Sequence, residues 1–534
     1  ACQQWRADQP GPCRRARRPM PPATPRRGTR SIAPPEGALH DQMPFLLGNE
    51  SLPNSTSNQV VKAPSSKASQ LGQFMTPESI SRFMAGLFGE TLPSEIRLLD
   101  AGAGKGALTT AFINHWMISR SDGVIQTTCY EIDQEFSDIL RENISLLGPD
   151  RNISSEVRNE DFIDHASSMI RLGKGQRFTH AILNPPYKKI NTASHHRACL
   201  SAIGLETVNL YAGFVGLAIA MMESGGDLVA IIPRSFCNGP YYQPFRHFIF
   251  RHASIRHIHL FGARNKAFKG DGVLQENIII HLTRGEKQGE VTISTSTDDT
   301  FSDYRETIHA FGSIVLARDA EQFIHIPTDD GPDLLTGSAF QYRLDELGVS
   351  VSTGPVVDFR MKNDLRAEYE PGTVPLLYPG HFTRDGFAWP KPGFKKANAI
   401  RETRETVKWL FPCGFYTVVR RFSSKEERRR IIANVVEPAA LPTKMIGFEN
   451  HLNVFHDRKQ PLSEDMARGM AVYLNATVVD QCFRRFNGHT QVNATDLKTM
   501  RYPSRDALTL LGKWAKSYPQ PSQEVIDARV TELA

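Results

Sequence analysis

Apolar residues Ile80, Phe83, Met84, Leu87 and Phe88 fall at i, i+3, i+4, i+7 and i+8, the spacing of one buried helix face. Just ahead of them, Thr76-Pro77-Glu78 reads as a helix start, with Thr76 as N-cap, Pro77 in the first helical position and an acid in the first turn. The pattern then shifts to short apolar runs separated by helical segments. Runs at 96–99, 125–130, 179–183, 228–232, 255–261 and 277–281 predict strands. Such alternation predicts a mostly parallel α/β sheet with crossover helices, the last two runs pairing as an antiparallel hairpin at one edge. The longest apolar stretch, 210–222, is too short to span a bilayer and reads as a buried helix.

Beyond about residue 300 the pattern loses this regularity. Gly/Pro-punctuated strands are expected at 351–359 and 416–422, and helices near 464–475 and 507–517, which together predict a separate α+β domain at 301–534. Residues 1–70 are rich in Pro, Arg, Ser and Asn without apolar periodicity and predict a disordered leader, within which Met43 opens a plausible shorter start. The catalytic part is then 71–300.

Charge changes this picture. The net +6 is unevenly spread: residues 1–30 carry eight Arg against one acid, 331–534 carry 29 basic against 23 acidic residues, and the remaining middle is near −7. An acidic middle beside a basic C-terminal part fits a catalytic domain joined to one that contacts nucleic acid. Between Lys391 and Arg430 there are 12 basic and 4 acidic residues, interleaved with aromatics. Basic side chains of that kind neutralise phosphates, while Arg, Asn, Gln and His read base edges; each also serves as an ordinary solvated or backbone-satisfying group. The seven cysteines show no CxxC spacing, so neither a zinc site nor a disulfide framework is expected, and the chain reads as cytoplasmic. Pro412-Cys413 lies far from the predicted catalytic loop, and His195-His196 and His451/His456 lack metal-ligand spacing, so no metal is expected.

Three sequence features carry chemistry. Asp100-Ala101-Gly102-Ala103-Gly104-Lys105-Gly106 joins an apolar run to a helix, and its glycines let backbone approach a ligand. Phosphate, dinucleotide and adenosylmethionine sites all use such a loop, though Gly106 after Lys105 disfavours a phosphate-binding P-loop. Glu131, 29 residues after Gly102, ends the next strand, where a carboxylate accepts ribose hydroxyls; Asp161 holds the equivalent place one strand later, suited to an adenine amino group. Asn184-Pro185-Pro186-Tyr187 then follows an apolar strand directly. An aromatic exocyclic amine is a poor nucleophile because its lone pair is delocalised. Two acceptors, the Asn184 side-chain oxygen and the Pro185 carbonyl held rigid by Pro186, favour the pyramidal form that attacks a methyl sulfonium, while Tyr187 stacks on the base.

From Gly72-Gln73-Phe74-Met75-Thr76-Pro77 through the glycine loop, Glu131, Asp161, Asn184–Tyr187 and Asn209–Phe214 to 488–497, the chain resembles the PstI-type adenine-N6 DNA methyltransferases of Type II restriction–modification systems. The resemblance implies a Rossmann-like catalytic domain followed by a target-recognition domain, with S-adenosylmethionine as the only cofactor. It implies cofactor contacts from Phe74, Thr76, Pro77, Asp100, Gly102, Gly104, Glu131, Ile132, Asp161, Phe162 and Asn184, and a flipped adenine held by Asn184 and Pro185 between Tyr187 and Phe268. DNA contacts are expected from Arg360, Lys395, Lys396, Arg420, Arg421, Lys425, Asn450, His451, His489, Thr490 and Gln491. It further implies double-stranded DNA as partner, a separate cognate restriction endonuclease, a monomer and no membrane association. RNA or protein-glutamine methylation, or a silent sequence-specific DNA-binding protein, are the rival readings.

Overall fold

A computed structural model describes residues 75–119, 123–147, 152–175, 177–191, 193–262, 276–317, 319–327, 340–383, 386–423, 427–487, 491–518 and 520–533. The expected leader lies outside the described residues, as do Phe74, Phe268, Lys425, His489 and Thr490.

The apolar runs assemble into one nine-stranded sheet: β1 (Glu95–Ala101), β2 (Val124–Tyr130), β3 (Ile153–Arg158), β4 (Phe178–Leu183), β5 (Met222–Pro233), β6 (Ala253–Phe261), β7 (Asn277–Arg284), β8 (Val291–Ser296) and β9 (Arg305–His309), in the order β3-β2-β1-β4-β5-β7-β6-β8-β9. Strands β1 to β5 run parallel, and β7 is antiparallel to both its neighbours. Successive side chains on a strand face opposite ways, and both faces are covered. Leu228, Ala230 and Ile232 join one core with the helices Phe162–Arg171, Leu210–Met221 and Gln243–His252. Val229 and Ile231 join the other core, with the helices Glu78–Gly86, Ala107–Ser119 and Gln134–Ser145. The fold is therefore a three-layer, Rossmann-like α/β sandwich followed by mixed α+β structure. The chain reverses its winding between β1 and β4, and the crevice at the carboxyl ends there is where such sheets bind ligands.

Two local expectations are corrected. The β6/β7 hairpin forms but is not the edge: β7 inserts between β5 and β6, and β8 and β9 extend the sheet past residue 300. The helix after Thr76 begins at Glu78, with Pro77 as the capping residue and no side-chain cap, so Thr76 is not an N-cap.

The C-terminal part holds a four-stranded sheet (Ser350–Thr353, Leu452–His456, Tyr416–Arg420, Ala433–Val436) packed on the helices Glu464–Leu474, Thr477–Phe486 and Arg505–Ser517. Two of these helices cross in backbone contact, since a Cβ on Gly469 would lie 1.8 Å from the Leu508 carbonyl oxygen. The strand expected at 351–359 stops at Thr353, because Gly354 presses against the carbonyls of Phe448 and Glu449 and the chain turns away. Among the described residues no helix is long and apolar enough to cross a membrane.

Candidate active site

Strand β1 ends in the glycine loop, where Gly102 and Gly104 take φ of 80° and 55°, conformations that a side chain would strain. The amides of Gly102 and Ala103 both donate to the Tyr130 carbonyl, 2.9 Å away, which ties the loop to the end of β2. Asp100 is fully buried beneath the loop and accepts from Thr109 Oγ1 at 2.6 Å; burial pushes its carboxyl up to about 7. It therefore supports the loop from below and does not line the cavity above it.

That cavity, of about 210 Å³, lies over the carboxyl ends of β1, β2 and β4. Of the residues expected to hold cofactor, it gathers Gly102, Gly104, Glu131, Ile132, Asp161, Phe162 and Asn184; Thr76, like Asp100, is not on its wall. Sequence reasoning missed Met75, Phe136, Lys188, His196 and Phe214, which also line it. Only the glycines hinted at Phe214: a Cβ on Gly102 would meet its ring at 3.7 Å and Pro186 at 3.8 Å, filling the crevice. Glu131 is 3% exposed and accepts from the Gly104 amide at 2.9 Å through one oxygen and the Asp133 amide at 2.8 Å through the other.

Asn184 leaves β4 at the rim of this cavity. Its Nδ2 donates to Thr76 Oγ1 at 2.9 Å, which fixes the orientation of the amide. Tyr187 Oη lies 3.1 Å from both Asn184 Oδ1 and the Ile231 carbonyl, and burial raises its phenol well above the ordinary value. Thr76 is thus a positioning residue. Thr76→Val, which keeps the shape and removes the hydroxyl, is expected to lower the methyl-transfer rate constant by about 3- to 10-fold, the worth of one hydrogen bond. Single-turnover kinetics checks this; an unchanged rate would remove Thr76 from the mechanism.

A model of the Eco57I restriction-modification methylase family matches residues 105–268. Over 474 residues the chain is 49% identical to the Type II methyltransferase M.BsuBI of Bacillus subtilis, an alignment covering 87% of this chain and 94% of the relative. The chain belongs to this Type II methyltransferase family. The Type II methyltransferase M.PstI of Providencia stuartii is 41% identical over 466 residues, covering 85% of this chain and 90% of that one. Among solved structures, the cryo-EM structure of a DrdV–DNA complex aligns with a TM-score of 0.49 and 12% identity, over 84% of this chain and 57% of that chain.

This Type II methyltransferase draws its methyl group from S-adenosylmethionine. The cavity fits that molecule in kind: a glycine cradle that a Cβ would fill, a carboxylate at the end of β2, and apolar walls from Ile132, Phe162, Pro186 and Phe214. Burial pushes Cys413 up, the opposite of an activated nucleophile, and it lies on the C-terminal part.

In that C-terminal part of the methyltransferase, three distant segments meet. Arg421 donates to Gln491 Oε1 at 3.1 Å and to the Asn450 carbonyl at 3.3 Å, and its own amide bonds to the His451 carbonyl at 2.8 Å. The half-exposed Phe422 packs its ring 4.9 Å from that of His451, whose Nδ1 is held by the buried Glu449. Arg420 pairs with Glu427. Exposed Arg360, Lys395 and Lys396 sit elsewhere, with Lys396 Nζ 3.0 Å from Asp358. Arg430, in the segment alternatively read as a solvated helix, is instead buried, donating to Ser423 and Asn487 at 3.0 and 2.8 Å.

Proposed function

We propose that the protein methylates N6 of adenine in duplex DNA at a specific sequence. The observation that carries this reading is Asn184 at the cavity rim, directly after β4, its amide oriented by Thr76 and in contact with the Tyr187 hydroxyl. S-adenosylmethionine bound there supplies an electrophilic methyl group. The adenine leaves the helix, since N6 is otherwise paired. Asn184 Oδ1 and the Pro185 carbonyl accept its two N–H groups, which localises the nitrogen lone pair toward the methyl group. Tyr187 and Phe268 hold the two faces of the base. Transfer would break the methyl–sulfur bond, leaving a neutral thioether, and would make the nitrogen cationic and strongly acidic, so that its proton passes to solvent without a dedicated base.

Glu131 takes the ribose hydroxyls, Asp161 the cofactor's adenine amine, and Ile132 and Phe162 its faces, beside Gly102 and Gly104; Thr76 and Pro77, which do not line the cavity, act through Asn184 and the helix that follows. The division of labour is a catalytic part ending after the β8–β9 hairpin, followed by a target-recognition part. In the latter, Arg421, Asn450, His451 and Gln491 form one reading face, Arg360, Lys395, Lys396 and Arg420 bind phosphates, and His489, Thr490 and Lys425 are further DNA contacts. The protein acts as a cytoplasmic monomer that protects DNA from a separate cognate endonuclease.

Methyl transfer from tritiated S-adenosylmethionine, offered in parallel to duplex DNA, RNA and a protein mixture, tests the substrate. The expected result is label in duplex DNA alone. Label in RNA or protein would refute the reading, and cofactor binding with no transfer to any of them would favour a silent DNA-binding protein.

A further inference from the structure

The cavity wall opposite Glu131 carries a histidine that the reaction scheme does not use. His196 lies on the helix His195–Ser201, which is anchored by fully buried Leu200 and by Arg197, bonded to Glu206 at 2.8 Å. Its Nε2 is 3.0 Å from Asp161 Oδ2. The other oxygen, Asp161 Oδ1, accepts the Asp164 amide at 3.1 Å, where Asp161 caps the helix Phe162–Arg171. The carboxylate is therefore held at both oxygens, by groups on two different elements. Both Asp161 and His196 face the same cavity.

We propose that His196 is a positioning residue for the adenine ring of S-adenosylmethionine, holding Asp161 in the orientation that receives the exocyclic amine and making cofactor affinity depend on its own protonation. This rests on the reading that places the cofactor's adenine against Asp161. An imidazolium must donate through Nε2, so the Asp161 contact persists whenever His196 is charged. A neutral imidazole has a second tautomer that turns a lone pair toward the carboxylate, and Asp161 is then free to rotate toward solvent. The groups around His196 are Asp161 and Asp164 from the start of one helix, Lys188 from the segment after β4, and His195 on its own helix, with ring centres 6.4 Å apart. The Asp161 hydrogen bond, opposed by burial and helped by both aspartates, raises the imidazole above its ordinary value. Burial, the largest single influence, would raise Asp161; the His196 bond, the Asp164 and Ile163 amides and the His196 charge together outweigh it and keep the carboxyl low. The pair is therefore ionic below the raised His196 value, and its hold on Asp161 weakens as pH rises through it.

The test is equilibrium binding of 5′-methylthioadenosine, which carries the adenosine part of the cofactor without its titrating amine, to the full chain across the neutral and alkaline range. Wild type should bind more weakly as pH rises above the ordinary histidine range. His196→Asn, whose amide donates but does not titrate, should give a flat profile. His196→Leu should weaken binding about tenfold at neutral pH, the worth of a charged hydrogen bond. A wild-type profile shared by His196→Asn, or unchanged affinity in His196→Leu, overturns the inference. Asp161→Asn separates the two levels: if it binds like wild type, the placement of adenine falls and this inference with it. If Asp161→Asn weakens binding and His196→Leu does not, only the role of His196 falls.

Discussion

Replacing Asn184 by alanine should reduce methyl transfer by about 10²- to 10³-fold, the usual cost of removing one preorganised group that acts on the reacting centre. The side chain contacts Thr76 and Tyr187 and is proposed to accept the incoming amine, and alanine removes all of these. Two consequences separate this from general damage. Asn184 is partly exposed at the cavity rim and outside the strand register of β4, so secondary structure and thermal stability should change little. Cofactor affinity should also fall far less than the rate, because Glu131 and the glycine loop are untouched. Asn184→Asp is the sharper probe: its carboxylate keeps an acceptor for the amine, and its contact with Thr76 survives only with the threonine hydroxyl turned round as donor. Its rate should lie between wild type and alanine. A rate near wild type in Asn184→Ala, measured in single turnover with saturating DNA, would remove the amide from the chemistry.

Arg234→Met should destabilise the fold by about 3–5 kcal/mol, the cost of leaving a buried ion-pair partner uncompensated. Arg234 follows β5 directly, with its side chain only 6% exposed and that of Glu276 5% exposed. One arm of the guanidinium donates to Glu276 Oε1 at 2.7 Å, and the other to the carbonyls of Arg484 and Arg485 at 2.9 and 2.7 Å. Those carbonyls close the helix Thr477–Phe486, where unsatisfied oxygens and the helix dipole both attract a cation. One residue thus joins the ends of β5 and β7 to the C-terminal part. Since most of the cost comes from the stranded carboxylate, the double variant Arg234→Met/Glu276→Leu should be more stable than Arg234→Met alone. Chemical denaturation of the four proteins of the cycle measures this. Additive effects of the two substitutions would show that the pair is not coupled.

The strands and the glycine loop were legible because their signals are local. β1, β4 and β5 carry apolar residues on both faces near their carboxyl ends, and the glycines, Glu131 and Asn184 each follow a strand directly. What escaped depends on partners distant in sequence. The pairing of β6 with β7 could be read, but their place in the sheet could not, since β7 is as apolar as any edge or central strand. Thr76-Pro77-Glu78 has the local form of a helix cap, yet a hydrogen bond to Asn184, 108 residues away, sets the role of Thr76. His196 looked unremarkable because the carboxylate it meets is 35 residues earlier on another element. Arg430 sits in a charge run that suggests a solvated face, and only the fold shows Asn487 waiting beneath it.

The most direct measurement is the identity of the modified nucleoside. DNA methylated by the wild-type protein, digested to nucleosides and resolved by mass spectrometry, should contain N6-methyl-deoxyadenosine, absent when Asn184→Ala is used. Read back onto the duplex, the mark should recur at one short sequence. N4-methyl-deoxycytidine in its place would keep the geometry of amine activation and overturn adenine as the target; a C5-methylated base would contradict the account of Asn184 altogether.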